Sequence, residues 1–335
     1  MTHSHAVLNG DRLALTRLLT QVENDTPEGR AALIELFPHT GRAHLIGVTG
    51  SPGTGKSSLV NQLALYYRKT ENKRVAVIAV DPSSPFTGGA VLGDRVRMRD
   101  LAGDTGVFIR SMATRGSLGG LAQSTANMAQ VFDAAGFEVI IIETVGAGQS
   151  EVDVARLAHT TLVVEAPGLG DDIQAIKAGI LEIADILVIN KADRPGVENT
   201  EKALKNMLDL AHPTERIFQH HGSAMRVTAP VREASSAPMW IPTIQRTVAT
   251  EGKGIPELGQ AIARHVEHLT QSGVWDDRER ARLEVELDAL IREELVIRFR
   301  QNVSEEEYTS MLGKILHREL SPGEAVKLLL NGRMK

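Results

Sequence analysis

The chain has 335 residues, a formal net charge of -5, 42% hydrophobic and only 4% aromatic residues, and no cysteine. That length allows one large α/β domain with smaller additions. The acidic balance argues against a general nucleic-acid binder, and the missing cysteines exclude disulfides, thiolate metal sites and a cysteine nucleophile.

Residues 1–42 read as an N-terminal helical extension. Leu13, Leu15, Leu18 and Leu19 fall in a run with no β-branched cluster, and a second helix is expected to open with Thr26 as cap and Pro27 at its first position. Met1-Thr2-His3-Ser4-His5 is not a charged leader ahead of an apolar segment, and no stretch reaches the roughly 18 apolar residues of a membrane span, so the expected location is cytoplasmic.

Residues 43–265 alternate short Val- and Ile-rich runs with helical stretches. The runs are His44–Thr49, Val75–Val80, Val139–Ile142, Thr161–Val164 and Ile186–Ile189, with a late strand expected within Met239–Ala249. Runs apolar on both faces suit strands covered by helices on both sides. The predicted fold is a doubly wound, mostly parallel α/β sheet.

Residues 266–335 form a charge-rich helical arm. Leu283, Leu287, Leu290, Ile291 and Leu295 make an apolar stripe at helical spacing, and capping boxes are expected at Ser304–Glu307 and Ser321–Glu324. The arm is expected to pack either on the central domain or on a second copy of the chain.

Gly50-Ser51-Pro52-Gly53-Thr54-Gly55-Lys56-Ser57 matches G-x-x-x-x-G-K-[ST] between a strand and a helix, with Ser58 completing the set. Glycines let backbone N–H groups wrap phosphates, and the helix N-terminus adds its dipole. Lys56 is expected on the β/γ-phosphates and the Ser57 hydroxyl on Mg²⁺. Asn190-Lys191-Ala192-Asp193 ends an apolar run. There Asp193 can accept from N1–H and N2–H₂ of guanine, a pattern adenine lacks, which favours GTP over ATP by roughly 10⁴. Lys191 is expected to lay its stem over the base. In Val248-Ala249, Val stands where GTPases commonly carry Ser, which leaves the Ala249 N–H as the contact to guanine O6.

Three carboxylates are candidates for the metal side. Asp81 and Glu143 each end a strand, where ligand crevices lie in this fold, and Asp94 lies in a Gly-rich loop. Glu143-x-x-Gly146 stands where ordinary GTPases have D-x-x-G, so Glu143 meets the metal directly or through water. Gly146 is expected to give an N–H to the γ-phosphate and to act as a hinge. Gln149 either orients the attacking water or is a surface residue. Arg95, Arg97, Arg110 and Arg115 serve either phosphate or the surface. His220-His221 reads as an exposed loop pair rather than a metal site.

Taken together, the phosphate loop, Ala79–Pro85, Gly93-Asp94-Arg95, Arg110–Gly116, Glu143–Ser150 and Asn190–Asp193 resemble the MeaB/ArgK family of P-loop GTPases, in the SIMIBI branch. The resemblance spans nearly the whole chain. It implies a slow GTPase, using GTP/GDP and Mg²⁺, that chaperones an adenosylcobalamin-dependent acyl-CoA mutase such as methylmalonyl-CoA mutase. Such a protein gates cofactor loading and protects the mutase. The resemblance also implies phosphate and metal roles for Lys56, Ser57, Asp81, Asp94 and Glu143, an extra switch at Ala166–Asp172, and homodimerisation through the C-terminal arm. Rival expectations are a P-loop kinase, with Asp81 as its catalytic carboxylate, and a metallochaperone GTPase.

Overall fold

All five apolar runs form strands. They are β1 (His44–Thr49), β2 (Val75–Asp81), β4 (Val139–Thr144), β5 (Thr160–Glu165) and β6 (Ile186–Ile189). Two more complete a seven-stranded sheet: β3 (Val107–Ala113) on one edge and β9 (Thr243–Arg246) on the other, in the order β3-β2-β4-β1-β5-β6-β9. Every pairing in it is parallel. The computed structural model describes residues 3–81, 99–101, 103–113, 120–144, 150–168, 183–211, 216–220, 223–227 and 239–330.

The strand β3 carries no clear sequence signal because Arg110 and Ser111 interrupt its apolar run. That interruption has a structural reason. Arg110 pairs with Glu23 and donates to Thr20 Oγ1 at 3.2 Å, both on the helix α2 (Arg12–Glu23), so a charge on this edge strand is matched by the N-terminal extension. Arg12 of α2 also donates to Val107 O at 2.8 Å and lies over the Phe108 ring. Helices α1 (His3–Leu8), α2 and α3 (Pro27–Leu36) thus belong to the main core. The α3 start is as expected, with Thr26 Oγ1 accepting from Gly29 N at 3.1 Å.

Helices cover both faces of the sheet. On one, α4 (Lys56–Lys69) and α8 (Ile255–Ser272) pack Leu59, Leu63, Leu258 and Ile262 against Ile46, Val48, Ile141 and Val164. The other face receives α2, α3, α5 (Gly120–Ala134) and α6 (Ser150–Leu157), whose Phe132 and Val154 meet Ile78, Ile140 and Ile142. Further along, α7 (Val197–Ala211) packs Val197 and Leu204 on Val163, Leu187 and Ile189. Beside these, β7 (Arg216–His220) and β8 (Ser223–Val227) form an antiparallel hairpin that was not expected. His220 pairs with Ser223 there, closing a strand rather than sitting in a loop.

At the amino ends of the strands a polar cluster ties the α8–α9 elbow to the sheet, where α9 spans Val274–Asn302. Thr160 Oγ1 lies 2.8 Å from His44 Nε2 and 2.9 Å from His265 Nδ1. Arg278 forks onto Asp185 at 2.9 and 2.7 Å and donates to His159 O at 2.6 Å. Trp275 stacks on His159 at 4.0 Å, and Glu279 bonds His159 Nε2. Burial alone would raise the Asp185 carboxyl, but hydrogen bonds from His265 and Arg278 outweigh it and hold it at about 2.

The chain divides into two compact units, Met1–Arg280 and Ala281–Lys335. The second contains the remainder of α9, then α10 (Glu305–Leu316) and α11 (Pro322–Leu330). Both expected caps are present. Ser304 Oγ accepts from Glu307 N at 3.2 Å, and at Ser321 the bonds to Glu324 run in both directions. The stripe Leu283, Leu287, Leu290, Ile291 and Leu295 is exposed. No helix among the described residues is long and apolar enough to cross a membrane.

Candidate functional site

A parallel sheet delivers the carboxyl end of every strand to one edge, and β1 lies at the switch point, between β4 and β5. The phosphate loop leaves β1 there. Gly50 has φ +132°, and a Cβ on it would run into the Val164 carbonyl, so only glycine fits. Gly55, at φ +91°, precedes α4; a Cβ there would lie 2.6 Å from Asn190 Nδ2. With glycine at the cap, α4 opens with no side-chain cap bond. Its first N–H groups therefore face the loop, an arrangement suited to phosphate.

Lys56 and Ser57, the first two residues of α4, are both buried. Lys56 Nζ donates to Gly50 O at 2.7 Å and Ser51 O at 3.1 Å, which holds the ammonium over the loop. Ser57 Oγ donates to Glu143 Oε1 at 2.6 Å, and Glu143 is only 1% exposed. Glu143 thus meets the loop across β1, as its place at the end of β4 implied. A hydroxyl and a carboxylate are hard oxygen donors of the kind Mg²⁺ takes, completing its shell with water and phosphate oxygens. Among the described residues no group of three or more His, Cys, Asp or Glu could hold a metal by itself. Asp81 ends β2 on the same edge, though its side chain lies outside the described residues. Asp94, Gly146 and Gln149 lie outside them altogether, as do Arg95, Arg97, Arg115 and the stretch 169–172.

The base side is organised by Asn190, which is buried. Its Nδ2 donates to Thr54 O at 2.8 Å, while its Oδ1 accepts from Thr247 Oγ1 and from Ala249 N, each at 3.1 Å. One amide therefore ties the phosphate loop to the turn after β9. The Ala249 N–H expected on guanine O6 is directed to Asn190 here. Lys191, with φ +57°, reaches Gly53 O at 2.5 Å, so its stem crosses from one loop to the other. Asp193 is exposed on this rim. Its charge helps to raise Lys253, after the larger effect of Glu251, and Ala192 N donates to Thr247 O at 3.0 Å, which holds this rim against the segment after β9. Pro52, Gly53 and Ser58 are exposed along the same mouth, and Thr54 is buried beneath it.

A doubly wound sheet with a phosphate loop at its switch point and an Asn-Lys-x-Asp rim defines a P-loop GTPase. The chain belongs to the family described as methylmalonyl Co-A mutase-associated GTPase MeaB, whose model matches residues 15–304. A Pyrococcus horikoshii protein that carries the name "Putative GTPase PH0274" is 44% identical over 321 residues, 96% of this chain and 94% of the relative. The mouse methylmalonic aciduria type A homolog, mitochondrial, is 34% identical over 286 residues, 85% of this chain and 64% of the mouse protein. Among solved structures, a LAO/AO transport system kinase superposes with a TM-score of 0.67 at 28% identity, covering 98% of this chain and 95% of the other.

Proposed function

We propose that this GTPase is a Mg²⁺-dependent chaperone of an adenosylcobalamin-dependent acyl-CoA mutase of the methylmalonyl-CoA mutase type, gating cofactor loading and protecting the mutase. The observation that carries this reading is the family match over residues 15–304, because the family is described by its association with that mutase. The name of the mouse relative points the same way.

In this reading the loop amides of Gly50–Ser58 and Lys56 grip the β- and γ-phosphates. Asp193 selects guanine through two acceptor oxygens, Lys191 covers the base, and Asn190 keeps the two loops in register. Ser57, Glu143, Asp81 and Asp94 are the metal-side residues. Mg²⁺, when bound, neutralises charge on the phosphate oxygens. Lys56 stabilises the charge that builds toward the leaving group, while Gln149 orients the attacking water. Gly146 reads the γ-phosphate through its N–H, so hydrolysis releases the segment after β4 and changes what the mutase meets. The exposed apolar stripe on α9 supports a second copy of the chain as a partner of the arm.

The decisive experiment is sedimentation velocity of the protein with a purified methylmalonyl-CoA mutase, in GDP and in a non-hydrolysable GTP analogue. Expected are a dimer of the GTPase alone and a complex with the mutase whose stability differs between the two nucleotides. Absence of a complex in both nucleotide states would remove the chaperone reading and leave the GTPase intact.

A further inference from the structure

Glu165 is a buried carboxylate at the nucleotide edge to which the preceding assignments give no task. It closes β5, is 1% exposed, and its Oε1 accepts from Ser51 Oγ at 3.2 Å. The strand register explains the meeting. Thr49 is paired with Val163, so two residues further on Ser51 comes level with Glu165. The carbonyl of Glu165 also accepts the Asn190 N–H at 2.8 Å. One residue therefore touches the phosphate loop through its side chain and the base loop through its backbone.

Alternation along the strands separates Glu165 from the metal side. Leu162 and Val164 belong to the core under α4 and α8, whereas Val163 belongs to the core under α7. Glu165, two residues after Val163, shares its face, away from α4. Glu143 lies two residues after Ile141, which packs under α4, and its carboxylate meets Ser57 there. The two carboxylates thus stand on the two strands that flank β1, directed to opposite faces. Glu143 serves the start of the helix; Glu165 serves the entry of the loop.

That entry has need of a hold. Thr54 Oγ1 bonds Ser51 O at 2.9 Å, and Lys56 bonds Gly50 O and Ser51 O, which ties the loop to itself. Asn190 and Lys191 tie its later part, Gly53 to Gly55, to the base loop. The Ser51–Glu165 bond instead ties its first turn to the sheet. We propose that Glu165 is a positioning residue for the phosphate loop, fixing through Ser51 the path of the N–H groups that receive the phosphates. The inference rests on the nucleotide site and is independent of the mutase client.

Two effects of Glu165 oppose each other, so the sign of the outcome decides. As a latch it preorganises the loop and tightens nucleotide; as a negative charge near a triphosphate it loosens it. The test measures binding of a fluorescent GDP analogue and steady-state GTP hydrolysis for Glu165→Ala, Glu165→Gln, Ser51→Ala and the Ser51→Ala/Glu165→Ala double variant. Each alanine variant is expected to raise Kd and KM about three- to tenfold, the worth of one ordinary hydrogen bond of this length. At saturating GTP, kcat stays within about twofold, because the lost interaction acts equally in ground and transition states. Glu165→Gln keeps an acceptor for Ser51 and stays within about twofold of the native chain, and the double variant is no worse than the weaker single one. Tighter GDP binding by both Glu165 variants would show the charge to dominate and overturn the proposal. An unchanged KM in the alanine variants, or a fall in kcat alone, would overturn it too. If the native chain itself bound no GDP analogue, the nucleotide site would fall and the latch with it.

Discussion

At its carboxyl edge the sheet ends in glycines, an ammonium and acceptor groups turned toward a mouth formed by Pro52, Gly53, Ser58 and Asp193. At its amino edge the same strands begin with His44, His159, Thr160 and Asp185: Thr160 bonds His265 of α8, His159 and Asp185 bond the first turns of α9, and His44 bonds Thr160. Both edges are rich in charged and polar groups. The carboxyl edge bonds its groups within and between the loops that line the mouth, and the amino edge bonds them to neighbouring strands and helices. Polar composition alone therefore does not mark a site in this fold; the direction of the strands does.

The comparison can be broken by changing one residue on each edge. The largest effect is expected for Asp193→Asn. An amide supplies a donor where xanthine carries a carbonyl, so the preference moves to xanthosine triphosphate and GTP affinity falls on the order of 10²-fold or more. Because Asp193 is exposed, the melting temperature without nucleotide should hold. A variant that still prefers GTP in competition binding would dismiss the base assignment.

Arg278→Ala is the converse. It takes two bonds from the buried Asp185 and one from His159 O. Discounting for the partial exposure of Arg278, a loss of about 2 kcal/mol is expected in chemical denaturation, with kcat for GTP nearly unchanged. If activity fell while stability held, the amino edge would belong to the reaction and the contrast would fail.

The smallest effect concerns pH. Burial, then the neighbouring His159, His265 and Lys73, lower His44 well below its ordinary value, against a raising influence of Asp185. The unfolded chain therefore takes up a proton below about pH 6.5 that the folded chain refuses, and stability falls with pH there. The slope is expected at about 1 kcal/mol per pH unit or less, and His44→Gln should flatten it in melting curves between pH 7 and 5. Identical slopes would rule His44 out. Asp185 acts lower down: its contribution is complete above the unfolded value and is lost as pH falls from about 4 toward about 2.

Most of the sheet could be read from the chain because buried parallel strands are apolar on both faces, and His44–Thr49 or Ile186–Ile189 admit little else. The phosphate loop and the Asn-Lys-x-Asp segment were legible for a local reason: their chemistry is carried by consecutive residues. What escaped depended on distant partners. Arg110 hid β3 because its counter-charge, Glu23, lies 87 residues away in the chain. His44, His159 and His265 gave no signal, since they meet only when the strands align. The second task of Asn190, as a tie between loops, was likewise invisible in a motif read for its carboxylate, and Glu165 looked like an ordinary strand end. The exposed stripe on α9 was legible as amphipathic spacing, whereas what covers it is not encoded in the spacing.

Strand β6 has only four residues, with Asp185 just before it and Asn190 just after. Those two anchors are thus the ends of one strut roughly 16.5 Å long, at about 3.3 Å per residue. Its length is constrained at both ends. An added residue would exchange Ile186 and Val188 with Leu187 and Ile189 between the two cores. It would also pull either Arg278 off its carboxylate or the amide off Thr54. This short span is therefore expected to keep its count of residues.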